Sequence, residues 1–495
     1  MRPTIRFIRK SRLVELVDVD PNTMLLDYLR ETEGAIGTKE GCGEGDCGAC
    51  TVALGRMRNG RLVYEPVNAC IQLLGQVDGT EVVTVEDLTA PDGSLHPIQQ
   101  EMAARHASQC GYCTPGFVMA LFAMYQSTNG AVTRDEVNDW IAGNLCRCTG
   151  YRPIVDAAVA ACDRGRHDRF RTGRDDMSGV LTFLADNEDV FVGDENRFFA
   201  APATLDSLAE LYERHPDATI LAGGTDVGLW ITKQLRDLPK IIHISKVPEL
   251  DSIEDTGHEL VIGAGVTYTE VEPYLSALDP DIGELLRRLG SKQVRASGTV
   301  GGNVANGSPI GDTPPLLIAL DATLTLRKGR RARSVGLEDF FISYGKQARE
   351  PGELVTAITV PRLADGHVFR CFKVTKRFDQ DISSVMAAFR FTLDEEGTVT
   401  EARLAYGGMA ETPKRAAGAE AELVGYPIRD AQAWSRAFAA LRADFHPIDD
   451  HRASARYRIE TAHALLGKAL IEAAGTASSR TRVLGHREKE AHGAV

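Results

Sequence analysis

Long apolar runs are missing from this sequence. Nothing in its 495 residues approaches the roughly 20 consecutive apolar residues that cross a bilayer, so no membrane association is expected. The opening MRPTIRFIRKSRL is basic but lacks the continuous apolar core of an export signal, so a cytoplasmic location is the expectation. Positive charge is also short: 56 Lys and Arg face 69 Asp and Glu, a net −13 without a dominant basic stripe, which argues against a nucleic-acid partner. No internal repeat is visible. Cysteine is scarce outside one window. Of ten, eight lie between residues 42 and 148, and only Cys162 and Cys371 fall elsewhere, where they read as small buried hydrophobes. Clustered thiols in a chain without an export signal point to metal binding rather than disulfides.

What remains is soluble globular composition, 43% hydrophobic and 25% charged, long enough for three or four domains. Residues 4–20 alternate as two strands joined around Lys10–Arg12. Asn22-Thr23 is positioned to cap a short helix over MLLDYLRE, and VVTVEDL at 82–88 reads as a closing strand and turn. Together these predict a small β-grasp unit. From about 97 to 162 four helical segments follow, with a cap at Thr133 and a turn at Asn129-Gly130. Residues 163–176 carry five arginines and little apolar content, which predicts a solvated linker. After it, 190–375 mixes helices, strands and glycine-rich turns, and 380–470 reads as strands followed by two helices. The tail from Gly475 is polar and is expected to be disordered.

The window GCGEGDCGAC (41–50) satisfies two patterns at once. Gly43, Gly45 and Gly48 spell G-x-G-x-x-G, a dinucleotide fingerprint, but no buried strand precedes it and the strand-like TVALG follows where a helix should start. Cys42, Cys47 and Cys50, with Cys70 further on, give C-x₄-C-x₂-C-x₁₉-C, the spacing of a plant-type [2Fe–2S] loop. The glycines suit that role, since they permit positive φ and let N–H groups approach cluster sulfides. A zinc site, and with it a zinc-binding scaffold protein, is the competing reading, although structural zinc favours two short knuckles. Cys110 and Cys113, then Cys146 and Cys148, form a second set, C-x₂-C and C-x-C, separated by 32 residues. Cys113 precedes Thr114-Pro115, a helix start whose N–H groups would favour thiolate there. A redox C-x-x-C is the rival, but it leaves the second pair unexplained.

SQCGYCTPGFVMA (108–120) and GNLCRCTGYRPI (143–154) closely resemble the paired-helix [2Fe–2S] domain of the molybdenum hydroxylases, the family of xanthine dehydrogenase, aldehyde oxidase and carbon monoxide dehydrogenase. The resemblance runs through residues 1–162 and uses all eight clustered cysteines. It implies that the helical cluster, on Cys110, Cys113, Cys146 and Cys148, lies nearer the molybdenum cofactor. Gln109 matches a position the family uses close to molybdopterin, and is equally read as a helix-capping residue.

ILAGGTDVG (220–228) and TVGGNVANGSPIGD (299–312) are glycine-rich without spelling a Rossmann fingerprint. Small residues with free N–H groups can form a nest for a pyrophosphate, with hydroxyls at Thr225, Thr299 and Ser308; each stretch alone also reads as a tight turn. Taken together they resemble the FAD domain of the same family. That resemblance implies that Ile220, Leu221, Ala222, Gly223, Gly224, Thr225, Asp226 and Val227 wrap the FAD pyrophosphate, joined by Thr299, Gly301, Gly302 and Asn303. It implies that Asp312 contacts the ribose or adenine side, that Val355 and Lys373 touch the flavin, and that Tyr344 lies near a nicotinamide site. Leu289 stands where many relatives have a phenylalanine stacked on the isoalloxazine, and an aliphatic side chain cannot make that π contact. The segment 376–385, KRFDQDISSV, resembles a loop that in some members controls access of acceptor to the flavin.

The implied fold is multidomain α+β. A β-grasp plant-type ferredoxin domain (1–88) precedes an all-α [2Fe–2S] domain (89–163) and a linker (164–190). An α+β FAD-binding domain of the vanillyl-alcohol-oxidase type (191–375), an α+β flavoprotein C-terminal domain (376–474) and the disordered tail (475–495) complete it. Two clusters plus FAD convert a two-electron oxidation elsewhere into reduction of NAD⁺. No segment after 375 resembles a molybdenum-binding domain, so the resemblance implies a large molybdopterin-binding partner subunit in a hetero-oligomer, for which a dimer of heterodimers is one arrangement. The implied activity is electron transfer from purine hydroxylation to NAD⁺, with aldehyde or N-heterocycle oxidation as the alternative.

Overall fold

The computed structural model describes residues 1–164 and 166–476, so the expected tail, apart from Gly475 and Thr476, lies outside the described residues. The chain divides into two units: Met1–Pro248 with Gly290–Gly298, and Glu249–Leu289 with the chain from Thr299 onward.

In the first unit the alternating start forms Ile5–Arg9 and Arg12–Leu16 as an antiparallel pair. Ile5–Arg9 also lies parallel to Glu81–Val83, which pairs in turn with Thr51–Arg58, and Arg61–Asn68 closes the five-stranded sheet. The short helix is Leu25–Asp27 running into a wider turn at Tyr28–Thr32. Its N-cap is Met24, not Asn22-Thr23, and Met24 makes no side-chain cap. Asn22 is committed elsewhere: its side chain exchanges two hydrogen bonds, 3.1 and 2.9 Å, with the backbone of Leu238.

Four helices, Pro97–Ala104, Thr114–Ser127, Arg134–Ile141 and Arg152–Asp163, build the helical domain around a core that includes Phe117, Phe122 and Tyr125. The stretch expected as a solvated linker forms two more helices, Arg169–Thr172 and Arg174–Leu184, with Phe170, Leu181 and Leu184 in that core. The arginines explain the difference. Arg166 and Arg171 both donate to Tyr125 O at 2.7 Å, Arg171 also to Thr128 O at 2.8 Å, and Arg174 to Gln126 O at 3.2 Å. They satisfy the orphan carbonyls at the C-terminal end of Thr114–Ser127, where cations also oppose the helix dipole.

The strands Val190–Gly193, Phe198–Ala201, Lys240–His243 and Thr219–Leu221 form a four-stranded sheet. Its Val190, Phe199, Leu221 and Ile241 share one apolar core with the plant-type domain. This is why residues assigned by sequence to the flavin domain belong to the iron–sulfur unit.

The second unit holds an antiparallel five-stranded sheet in the order Ile253–Asp255, Glu259–Gly263, Leu354–Pro361, Thr323–Lys328, Arg331–Gly336. A further sheet runs His367–Val374, Val385–Leu393, Val399–Gly407, Lys414–Arg415, and its core includes residues of the helices Ala431–Asp444 and Ala455–Ala473. Among the described residues no helix is long and apolar enough to cross a membrane.

Candidate cluster and flavin sites

The plant-type loop brings all four of its cysteines together. Cys50 Sγ lies 3.3 Å from Cys70 Sγ, and the Cys47 and Cys70 thiols both share hydrogen bonds with Cys42. Gly43, Gly45 and Gly48 take positive φ (64°, 77° and 68°), as the wrapping of backbone around a cluster demands. The N–H groups of Glu44 and Cys47 each point at Cys42 Sγ from 3.4 Å. With the Cys47 and Cys70 thiols as donors, the Cys42 thiol is held far below its ordinary value, while Cys47 and Cys70 are pushed up.

The helical set pairs Cys113 with Cys146 and Cys110 with Cys148. Cys113 is the N-cap residue of Thr114–Ser127, as its sequence position predicts. Burial, followed by the hydrogen bond with Cys146, nonetheless pushes its thiol up to about 12, so desolvation outweighs the helix N-terminus. At Cys146 burial opposes ionisation, but the Thr149 hydroxyl (3.1 Å) and Thr149 N–H (3.5 Å) lower its value. Among the described residues no group of three or more His, Cys, Asp or Glu is arranged to hold a metal ion.

The two loops touch. Leu145 N–H donates to Cys47 O at 3.0 Å, so Cys47 and Cys146 are joined by backbone and a single hydrogen bond. On the other side, Ile71, the neighbour of Cys70, lies under the first glycine segment: a Cβ on Gly228 would meet Ile71 O at 2.6 Å. Gln76 Nε2 donates to Ala222 O at 2.9 Å. Sequence reading missed Gln76, whose signal was weak because it sits in a short turn among apolar residues.

Ile220 and Leu221 end the strand Thr219–Leu221, and Val227 opens the short helix Val227–Thr232. Buried His243 and exposed Ser245 brace the strand end through His243 Nδ1 to Leu221 O, 3.0 Å, and Ser245 Oγ to Nε2, 2.7 Å. Among the described residues Gly223, Gly224 and Thr225 donate no backbone hydrogen bond, and the Thr225 hydroxyl has no partner. Gly223 has no room for a side chain, because a Cβ would lie 1.8 Å from Ser297 O. This segment is an open cradle of donors that fits an anionic pyrophosphate. Burial alone raises the carboxyl value of Asp226, which eases its place beside an anion.

The second segment differs from the expected nest. Gly301 N–H donates to Ala264 O (3.2 Å), Gly302 N–H to Thr299 Oγ1 (2.9 Å) and Asn303 N–H to Thr299 O (3.0 Å). These amides are spent on the start of the helix Val300–Asn306, so what the segment can offer is side chains. Asn303 Oδ1 accepts from Thr313, which is bonded to Tyr268. Asp312 accepts from Lys373 and from Ser383, the latter missed at the sequence level. Val355 is a buried core residue and Leu289 packs partly buried against the same core. Ser308 and exposed Tyr344 line one cavity of about 670 Å³, together with Lys414, His446, Ile448 and Arg452. Arg288 donates to Phe378 O (3.1 Å) in the 376–385 segment and to Thr375 Oγ1 (3.1 Å) just before it, with its guanidinium 4.7 Å from the Phe378 ring.

Donor loops, paired thiols and a flavin cradle define an iron–sulfur flavoprotein. Four family models match in order: a 2Fe-2S iron-sulfur cluster binding domain over 9–71, a [2Fe-2S] binding domain over 84–159, the FAD binding domain in molybdopterin dehydrogenase over 195–363, and the CO dehydrogenase flavoprotein C-terminal domain over 370–473. The chain is 32% identical to a xanthine dehydrogenase of Emericella nidulans over 90% of its own length and 36% of that protein's, and 32% identical to the xanthine dehydrogenase/oxidase of Rattus norvegicus over 82% and 34%. It spans about a third of the length of these curated relatives. A solved reconstituted CO dehydrogenase from Oligotropha carboxidovorans matches at 31% identity and TM-score 0.52, over 58% of this chain and 99% of that one. The chain belongs to the molybdenum hydroxylase family, and carries that family's two [2Fe–2S] domains, its FAD-binding domain and its flavoprotein C-terminal domain.

Proposed function

We propose that this chain is the electron-transfer subunit of a two-subunit xanthine dehydrogenase, serving purine hydroxylation at a separate molybdopterin-bearing subunit and delivering electrons to NAD⁺. Bound clusters would supply one-electron relay, and bound FAD the conversion of single electrons into a two-electron exit. The observation that carries the reading is the continuity of the chain's own residues. Cys110 and Cys148 are exposed, the Leu145–Cys47 hydrogen bond joins the two ligand loops, and Ile71 and Gln76 support the flavin cradle.

In this reading Cys42, Cys47, Cys50 and Cys70 hold one cluster, and Cys110, Cys113, Cys146 and Cys148 the other. Residues 220–227 hold the pyrophosphate, and Thr299, Gly301, Gly302, Asn303, Ser308, Asp312, Val355 and Lys373 stay assigned to the FAD by the sequence resemblance. The cavity shared by Ser308 and Tyr344 is where this reading seats the dinucleotide acceptor, since about 670 Å³ is within the usual size of a ligand pocket.

The test is to isolate the chain with its native partner and supply purines, aldehydes and N-heterocycles, with NAD⁺ and O₂ competing. Xanthine-dependent NADH formation is expected. Turnover of aldehydes or quinoline-like heterocycles without purines would assign another member of the family. Arg288→Ala removes the hydrogen bonds to Phe378 O and Thr375 Oγ1 at the start of the 376–385 segment, and a few-fold shift from NAD⁺ toward O₂ is expected, read as the ratio of NADH to peroxide. An unchanged ratio would remove that segment from acceptor control.

A further inference from the structure

The helix Lys292–Ser297 comes from the stretch between the two parts of the second unit, yet it belongs to the iron–sulfur unit. Ser291 caps it, and its Gln293 is 1% exposed. Gln293 Nε2 donates to Asn144 Oδ1 at 2.9 Å and to Thr51 Oγ1 at 3.2 Å. Asn144 Nδ2 donates in turn to Gly48 O at 3.0 Å and to Thr51 Oγ1 at 3.2 Å. Asn144 is next to Leu145, and Gly48 is next to Cys47. The clamp therefore grips both sides of the hydrogen bond that joins the two cysteine loops.

The packing is built for this contact. A Cβ on Gly48 would lie 2.2 Å from Gly143 O, and one on Gly143 would lie 2.2 Å from Gln293 Oε1. Gln293 Oε1 itself is buried and accepts no hydrogen bond. An orphaned acceptor carries a desolvation cost, so this side chain is not placed here for stability alone. Its value lies in the two donors. At its far end the same helix packs Ser297 O against Gly223 of the flavin cradle.

We propose that Gln293 is a positioning residue that locks the Leu145 N–H to Cys47 O hydrogen bond, and so fixes the coupling between the two clusters. The proposal rests on reading the two cysteine sets as cluster ligands. Leucine at 293 fills similar space and donates nothing. Glutamate keeps the shape but meets Asn144 Oδ1 with an acceptor; if the Asn144 amide turned to serve it, its own Oδ1 would face Gly48 O.

The experiment uses the full chain with both clusters, as wild type, Gln293→Leu and Gln293→Glu. Hydrogen exchange at the Leu145 amide is followed by mass spectrometry or NMR, and the magnetic interaction between the reduced clusters by electron paramagnetic resonance. Both variants should accelerate Leu145 exchange about tenfold, as expected when a hydrogen bond of ordinary net strength is released. Exchange within Thr114–Ser127 should be unchanged, and the intercluster splitting should weaken. If Leu fails to fold, Glu carries the test alone. Unchanged Leu145 exchange overturns the clamp, and faster exchange with an unchanged splitting overturns its role in coupling. A wild-type chain without two cluster signals would instead refute the ligand assignment itself.

Discussion

The two cysteine sets are opposites in how the chain holds them. The plant-type set is wrapped: Cys50 and Cys70 are buried, Cys42 and Cys47 half-buried, and three positive-φ glycines close the loop around them. The helical set sits at a surface, with Cys110 and Cys148 exposed beside Tyr112 and Leu145, which are 50% and 43% exposed. A buried site exchanges electrons only through its own protein surroundings, whereas an exposed one can meet another molecule. The contrast gives direction to the proposed relay, with entry at the helical set and exit past the plant-type loop toward the flavin cradle.

The harshest way to break this contrast is to remove one ligand from each set. Cys50→Ser and Cys148→Ser should each abolish one cluster signal and about half the iron, since each [2Fe–2S] cluster depends on four thiolates. The buried replacement should also destabilise the fold by about 1–3 kcal/mol, through a hydroxyl placed in the core, while the exposed one should leave the melting temperature of the iron-free chain near wild type. Metal and sulfide analysis, resonance spectra and calorimetry on the iron-free chains separate the two effects. Equal destabilisation by both would erase the distinction between wrapped and exposed.

A gentler test compares glycines. Gly48 needs both its φ of +68° and empty space beside Gly143, whereas Gly111, φ +85°, has nothing nearer than Ser108 Oγ at 4.0 Å. Gly48→Ala should therefore cost about 2–4 kcal/mol, from strained backbone plus overpacking, and Gly111→Ala about 1–2 kcal/mol from backbone alone. Denaturant midpoints of the iron-free variants give the comparison. A larger loss at Gly111 would mean that the helical loop is the more tightly built.

Local pattern carried much of this architecture. Cysteine spacing, alternation at 4–20 and the helical periodicity of 97–162 are short-range signals, and the latter two located the first strand pair and the four helices that the structure shows. What escaped depends on contacts between distant residues. The arginines of 163–176 look solvated in sequence because charge is the only local cue, yet they cap a helix some 40 residues upstream. Glycine density at 299–312 suggested free amides, but Ala264, remote in sequence, takes one of them. Gln76, Gln293 and Ser383 are single polar residues in apolar or polar surroundings without a motif. Only the folded chain shows what each one holds.

A further expected effect is an acid response on the helical side. His96 is 4% exposed, and its Nδ1 accepts from Ile98 N–H at 3.2 Å to cap Pro97–Ala104. Burial lowers its value to about 4 from an ordinary 6.5; Asp168, 3.9 Å from Nε2, opposes that shift, and Arg169 adds to it. The unfolded chain therefore binds the proton more readily than the folded one. The stabilisation is complete above pH 6.5 and drains away as the pH falls toward 4, by about 3 kcal/mol at one pKa unit per 1.4 kcal/mol. Protonation also removes the cap acceptor, which concentrates the loss in the helical domain. The urea midpoint of that domain, read from its cluster signal, should fall between pH 6.5 and 4.5, whereas His96→Asn, which keeps a cap without a titrating ring, should flatten the slope. An identical slope in the variant would place the acid sensitivity elsewhere and leave the two cysteine domains alike in this respect.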